Sequence, residues 1–184
     1  MSKEHLVAVV TPPLHPVEAG PITLRSPLEA RLGLSLPHEL YEVGATYGSG
    51  KFGNQIEVLN PFSSSYFDTV VEVCDLYRDL RRDEGTTVVP YDVYPVHPGL
   101  FPWGLEENGH MLFWLTEGKQ ESWPILLARS REARFERWDM PMTTFLSKVF
   151  KGEIHCILWD NDTQRQFLGI RFQPKAFVVE KQGP

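Results

Sequence analysis

A glycine-rich loop that ends in a lysine is the first feature of the sequence that could do chemistry. Residues 44–52 read Gly-Ala-Thr-Tyr-Gly-Ser-Gly-Lys-Phe, and glycines followed by a lysine cradle phosphates in nucleotide-binding loops. The register fails here, because the first glycine of that motif falls on Ala45 and Phe52 replaces the hydroxyl residue that holds magnesium. A helical pattern also precedes the loop where a strand is required. We therefore expect no nucleotide binding at Lys51.

Histidines and cysteines are the next residue types with chemical potential. The six histidines show no HExxH motif and no pair at helical spacing, which disfavours a transition-metal site. His155 and Cys156 would point to opposite faces of a strand and could not share an ion. Cys74 and Cys156 lie far apart without a CxxC motif, so we predict reduced, buried thiols and no metal or other cofactor.

Nucleophile and paired-carboxylate chemistry also lacks its usual patterns. Ser49 sits in the glycine loop, but no GxSxG elbow surrounds it and nothing links it to a base. Glu106 and Glu107 are adjacent, whereas the paired carboxylates of a glycosidase need a defined gap across the substrate. We therefore predict a protein that is not an enzyme and has no catalytic residue.

Composition sets the broad class of protein. The 184 residues are 42% hydrophobic, which is enough to bury one core. A net charge of −6 disfavours nucleic-acid binding and suits a basic protein partner. No apolar stretch approaches the roughly 20 residues of a membrane span, and the first residues lack the order of a signal peptide. We expect a cytoplasmic protein without a membrane partner.

Hydrophobic periodicity indicates which elements position these residues. Helical stripes, with Gly48, Gly85 and Gly152 as stops, predict helices over 36–47, 65–84 and 142–151, the second opened by a capping pair of Ser65 and Asp68. Apolar runs and alternation predict strands over 55–59, 111–115, 125–128, 134–138, 154–159 and 167–172, with an edge strand at 176–179. Residues 90–104, rich in proline, glycine and aromatics, predict a structured loop.

This order of elements favours an α+β fold. We predict one domain with a mostly antiparallel central sheet flanked by about four helices. Prolines at positions 12, 13, 16, 21 and 27 favour an extended arm over residues 1–26, with the α+β domain over 27–184.

An ordered series of short motifs carries a resemblance to a known family. The series is Leu36, Pro37, then Tyr47, Gly48, Ser49, Gly50, then Asn60, Pro61, Phe62, then Gly99 to Gly104 with Trp103, then Asn108, Gly109, Phe113, Trp114, Trp123, Pro124, Phe145, Leu146 and Gly152. In this order the residues resemble the SUKH superfamily, which includes the fungal Smi/Knr-type cell-wall-synthesis regulators. The resemblance covers roughly Leu28 to Gly152, and the sequence departs from the family pattern at Leu40, Leu105 and His110.

The resemblance implies a non-enzymatic protein-binding domain. Bacterial SUKH members mostly bind and neutralise a cognate toxin, so it implies a cytoplasmic immunity protein; the alternative is a regulatory or scaffold module of the cell-wall-synthesis-regulator type. Much of the series has a structural explanation. Gly48 and Gly50 permit positive backbone angles, Asn108 and Gly109 form a hairpin-type turn, and Trp103, Trp114 and Trp123 suit the core.

Acidic and aromatic residues near the predicted turns are the candidates for partner binding. We predict that Glu106, Glu107, Glu117 and Glu121 steer a basic partner and that Tyr91, Tyr94 and Phe101 anchor it. The reasons are the net negative charge and a long aromatic loop, since loops larger than a simple connection tend to carry function.

Overall fold

A seven-stranded antiparallel sheet forms the centre of the protein. The structure is a computed structural model and describes residues 3–129 and 134–176. The strands are Gly50–Phe52 (β1), Ile56–Val58 (β2), Leu100–Glu106 (β3), Met111–Leu115 (β4), Ile125–Ala128 (β5), Phe135–Trp138 (β6) and Phe172–Pro174 (β7). They lie in the order β6-β5-β4-β3-β2-β1-β7, and every neighbouring pair is antiparallel. The predicted α+β fold is confirmed.

Six α-helices accompany the sheet within the described residues. They are Lys3–Val7 (α1), Arg25–Leu32 (α2), His38–Tyr47 (α3), Tyr66–Glu84 (α4), Met142–Lys151 (α5) and Asn161–Gln166 (α6). Helix α5 shows why the periodic segments were predictable: its apolar stripe is buried, and Gly152 ends it in the left-handed region at φ 73°. The N–H of Glu153 then donates to the Lys148 carbonyl at 2.8 Å, which satisfies an orphan group of the last turn.

Helices cover both faces of the sheet. Tyr77 of α4 packs edge-on against Phe113 of β4, with ring centroids 4.7 Å apart. Successive strand residues point to opposite faces, and Trp114 accordingly joins Trp103, which contacts Phe145 of α5. Helices α1 and α3 pack against α5 on that second face. No helix among the described residues is long and apolar enough to cross a membrane.

Strand β3 corrects the prediction of a loop over residues 90–104. Leu100–Glu106 is a central strand that is buried along nearly its whole length, so its sequence lacks the alternation of a half-exposed strand. Pro102 lies beside an irregularity in the pairing, where the register with β4 shifts between Pro102 and Gly104. A bulge is one of the few places where a sheet tolerates proline.

The predicted strand over residues 154–159 is wrong. The segment is an irregular loop that buries Cys156, Leu158 and Trp159. The Glu136 carboxylate of β6 accepts hydrogen bonds from the Ile157 N–H at 2.9 Å and from the Cys156 thiol at 3.0 Å. The Glu136 side chain thus accepts a backbone hydrogen bond that a neighbouring strand would otherwise accept.

The remaining C-terminal predictions are partly corrected. Residues 160–162, between two of the predicted strands, begin α6, because the Asp160 side chain accepts a hydrogen bond from the Thr163 N–H at 2.7 Å. The strand predicted over 167–172 is reduced to Phe172 of β7. The edge strand predicted at 176–179 lies, apart from Ala176, outside the described residues. Ser65 precedes α4 but makes no side-chain cap, and its hydroxyl instead contacts Ser63 at 3.1 Å.

The N-terminal segment packs into the same core as the rest of the chain. Leu6 of α1 and Val10 are buried. The Tyr47 hydroxyl donates to the Val10 carbonyl at 2.6 Å, and the Ser49 N–H donates to the Val17 carbonyl at 2.7 Å. The segment therefore stabilises the turn between α3 and β1.

Candidate partner-binding surface

The residues predicted to bind a partner lie at two opposite ends of the β3–β4 hairpin. Glu106 and Glu107 are at the hairpin turn, whereas Glu117 follows the end of β4. Tyr94 lies beside the start of β3, where its N–H donates to the Leu100 carbonyl at 3.0 Å. A seven-residue strand spans about 20 Å, so these residues do not form one patch.

Two of the predicted positions are interior and cannot act as surface contacts. Phe101 is fully buried, and so is the Glu106 side chain. The Glu106 carboxylate accepts hydrogen bonds from the Asn108 backbone N–H at 3.0 Å and from its side-chain amide at 2.9 Å. Burial raises the pKa of Glu106, and the Asn108 donors oppose that rise. Glu106 stabilises the hairpin turn, which corrects its predicted role in steering.

Glu107 remains at the surface but is paired within the protein. Its carboxylate lies 2.6 Å from the ammonium of Lys51, with both side chains about half exposed. The Glu107 hydrogen bond raises the pKa of Lys51. The lysine of the glycine-rich loop thus has a protein carboxylate as its neighbour.

The two tyrosines lie in a packed loop. Tyr91 is half-buried and contacts Phe135 at 5.4 Å between ring centroids. Tyr94 is also half-buried, stacks edge-on against Phe101 at 5.3 Å, and donates its hydroxyl to the Leu32 carbonyl. Both rings pack against the core and keep part of their surface exposed, so their predicted role as anchors for a partner stays a prediction.

An open cleft lies at the end of the sheet where β3 begins and β4 ends. We call it the basal cleft, and its volume is about 510 Å³. It is lined by Leu34, Ser35, His97, Pro98, Thr116, Glu117, Gly118, Gln120 and Trp123. Its size falls within the range of protein ligand clefts.

Thr116 fixes the wall of the basal cleft. Its hydroxyl lies 3.0 Å from His97 Nδ1 and accepts a hydrogen bond from the Gly99 N–H at 2.9 Å. Its backbone N–H donates to the Gly99 carbonyl at 2.9 Å. Trp123 also lines the cleft and packs against Trp114, and its Nε1–H has no acceptor within the described part of the chain.

Glu117 lines the basal cleft, Glu121 follows the lining residue Gln120 in sequence, and both carboxylates have structural partners. Glu117 pairs with the Arg137 guanidinium, which also contacts Asp139 at 2.8 Å. The hydrogen bond to Glu117 raises the pKa of Arg137 most, and the hydrogen bond to Asp139 raises it further. Both oxygens of the exposed Glu121 accept from the His38 N–H at 3.1 Å. An anion there is stabilised by the N-terminal dipole of α3.

The comparisons with known proteins identify the family. Residues 26–146 match the family model SUKH_6, described as SMI1-KNR4 cell-wall, which covers more than half of the chain. The chain belongs to the SUKH superfamily. Domains of this superfamily generally bind protein partners and are generally non-catalytic. No curated protein and no solved structure matches the chain.

The SUKH motif residues lie mostly at structural positions. Trp103, Trp114 and Trp123 are buried. Gly109 has φ 81° in the hairpin turn after Asn108. Gly104 lies in β3, where a Cβ would come within 3.1 Å of the Glu57 carbonyl, and Pro37 directly precedes α3.

The two glycines that flank Ser49 have different roles. Gly48 has φ 69°, as predicted for the exit from α3. Gly50 does not have a positive φ, which corrects the prediction for that residue. It is instead a site of close approach, because a Cβ there would lie 2.3 Å from the Gln173 carbonyl of β7.

Sequence reasoning missed the exposed loop beside the basal cleft. Val96 is half exposed and lies next to His97 in a segment with proline at 95 and 98. Two X-Pro pairs within five residues were a signal for a rigid, protruding loop. Only aromatic side chains of this segment were predicted as anchors, whereas its exposed hydrophobic side chain is the aliphatic Val96.

Proposed function

We propose that this SUKH domain is an immunity protein that binds and neutralises a cognate toxin domain in the cytoplasm of a bacterial cell. The observation that carries the proposal is the family match over residues 26–146. The net charge of −6 supports a basic partner, since complementary charge steers association.

The basal cleft is the proposed binding face. Its lining combines His97 and Trp123 with the Glu117 carboxylate, and Glu121 follows the lining residue Gln120. Binding hot spots cluster where an apolar anchor enters a preformed recess surrounded by polar groups. We propose that the partner inserts an apolar side chain beside Val96 while basic residues approach the two glutamates.

A regulatory or scaffold role is the second candidate function. The description of the matched family as SMI1-KNR4 cell-wall favours it, since that name refers to cell-wall proteins. Both functions use protein binding, and they differ in what happens to the partner. An immunity protein abolishes the activity of its companion, whereas a scaffold leaves that activity intact.

Purification of the companion distinguishes the two functions. The full chain, tagged and expressed in its native cells, should retain one companion that mass spectrometry identifies. For an immunity protein, the companion alone should arrest growth when expressed, and co-expression of the chain should restore growth. A companion that never arrests growth would support the regulatory function instead. Val96→Asp should lose the companion, and Leu76→Asp, a change at an exposed aliphatic residue of α4, should retain it.

A further inference from the structure

A second cavity lies outside the part of the chain that matches the SUKH family. It sits between the end of α5, the loop over residues 154–159 and α6, with a volume of about 330 Å³. Its apolar floor includes Val149, Trp159, Phe167 and Leu168. We call it the Trp159 cavity. Its volume lies near the lower end of small-molecule sites, roughly 300 to 1,000 Å³.

The floor of the Trp159 cavity is held in place from two sides. The Trp159 and Phe167 rings pack at 4.6 Å between centroids. Gln164 of α6 donates from its amide to the Trp159 carbonyl at 3.2 Å and accepts from the Cys156 N–H at 3.3 Å. Both ends of the Gln164 amide are thereby engaged, so the loop and α6 form one wall.

The polar part of this lining consists of Arg165, His155 and two neutral amides, Asn161 and Gln164. Trp159 is only 5% exposed, and its Nε1 atom is closed off from the surface and has no acceptor among the described residues. A ligand in the cavity therefore meets the Trp159 ring and not its N–H. The Gln164 amide is already engaged at both ends, which leaves Arg165 to pair with a charged ligand.

The charge of the lining favours a negatively charged ligand. Arg165 is its one permanently charged residue, and the described residues that line the cavity include no carboxylate. Arg165 contacts Asp162 at 3.4 Å, but both side chains are largely exposed, and such surface pairs are weak. The guanidinium can exchange this partner for a ligand carboxylate, with which it forms two parallel hydrogen bonds.

We propose that the Trp159 cavity binds a small monocarboxylate with an aromatic or branched aliphatic body. The apolar body lies on the floor formed by Val149, Trp159 and Phe167, and the carboxylate pairs with Arg165. Binding is reversible and involves no covalent step. The proposal is independent of toxin neutralisation, because none of these residues lines the basal cleft.

Titration of the isotope-labelled full chain with phenylacetate tests this assignment. Nuclear magnetic resonance resolves the indole N–H signals, and Trp159→Phe identifies the signal of Trp159 while keeping an aromatic floor. Phenylacetate should shift that signal saturably at neutral pH. The neutral amide phenylacetamide has the same ring and should bind about tenfold more weakly, because it loses the charge-assisted pair.

Two matched arginine variants make the test independent of whether the Trp159→Phe variant folds. Arg165→Gln should weaken phenylacetate binding by about tenfold. Arg82→Gln, which removes an exposed arginine of α4 paired with an aspartate three residues earlier, should leave binding unchanged. The proposal is overturned if the Trp159 signal never moves, if amide and carboxylate bind equally, or if both arginine variants behave alike.

Discussion

The Glu39 carboxylate of α3 accepts hydrogen bonds from both the backbone N–H of Thr143 at 3.0 Å and its hydroxyl at 2.9 Å. It also accepts from the Met142 N–H at 2.6 Å. Glu39 is buried and thereby satisfies the orphan donors at the start of α5. A residue 104 positions away in sequence acts as the cap of this helix.

Removal of this carboxylate should destabilise the protein. Glu39→Ala leaves the donors of Met142 and Thr143 buried without an acceptor, and we expect a loss of about 1–3 kcal/mol. Urea denaturation measures it. Glu72→Ala, a change at an exposed acid of α4, should alter the free energy of unfolding by less than about 0.5 kcal/mol. Equal effects of the two substitutions would contradict the capping role.

The same carboxylate should give the stability a distinct pH dependence. Burial raises the pKa of Glu39 above its ordinary value of 4.5, against the opposing effect of the Thr143 and Met142 donors. The folded protein then holds a proton that the unfolded chain has released, so this stabilisation is complete below the ordinary pKa and is lost as pH rises through the folded pKa. Relative to Glu39→Gln, the wild-type chain should therefore gain stability as pH falls from neutral through that window. A constant difference in unfolding free energy across the window would exclude a raised pKa.

Two glycines with similar φ should respond very differently to alanine. Gly33 has φ 65°, and a Cβ added there would have nothing within 4 Å, whereas a Cβ at Gly48 would lie 2.1 Å from the Val17 carbonyl. Gly33→Ala should cost about 1–2 kcal/mol for the left-handed conformation alone. Gly48→Ala should cost more, because ψ −155° places Gly48 in a region that is essentially confined to glycine and because the added Cβ displaces the N-terminal segment. Thermal melting of both variants measures the difference, and similar melting temperatures would contradict both the Gly48 conformation and the Val17 contact.

Truncation of a central tryptophan should show how much the aromatic core contributes to the free energy of unfolding. Trp114 is 1% exposed and contacts both Trp103 and Trp123. Trp114→Ala should destabilise by about 3–5 kcal/mol. Trp138→Ala is the matched control. It should lower the free energy of unfolding by less, because Trp138 is half-buried on the edge strand β6. An unchanged melting temperature for Trp114→Ala would place its side chain outside the core.

Local sequence signals account for helices α3, α4 and α5 and for strands β2, β4, β5 and β6. The stripe from Met142 to Phe150 and the stop at Gly152 predict α5 because helical burial repeats every three to four residues. Around Cys156 the alternation of buried and exposed residues is real, but the Glu136 carboxylate takes the N–H that a strand partner would bind. Alternation of apolar and polar residues indicates that one side of a segment is buried. It does not indicate which group accepts the hydrogen bonds of the backbone N–H groups.

Burial and strand register explain why the site was only partly predictable. Glu106 was predicted to steer a partner, yet its side chain is buried and accepts hydrogen bonds from Asn108, two residues away. The candidate residues were predicted as one group, whereas Glu106 and Glu117 lie at opposite ends of the β3–β4 hairpin. The sequence around each residue shows neither the burial nor the separation, because both depend on how the strands pair and pack.

The kinetics of the companion on the immobilised SUKH domain test the central claim, which is partner binding at the basal cleft. We expect Val96→Asp to raise the dissociation rate about tenfold or more, because it places a charge where an apolar anchor packs. Leu76→Asp and Glu107→Lys, which change surfaces away from the cleft, should leave that rate within about twofold. Surface plasmon resonance with folded variants measures all three. An unchanged dissociation rate for Val96→Asp, together with a large change for either control, would contradict binding at the basal cleft.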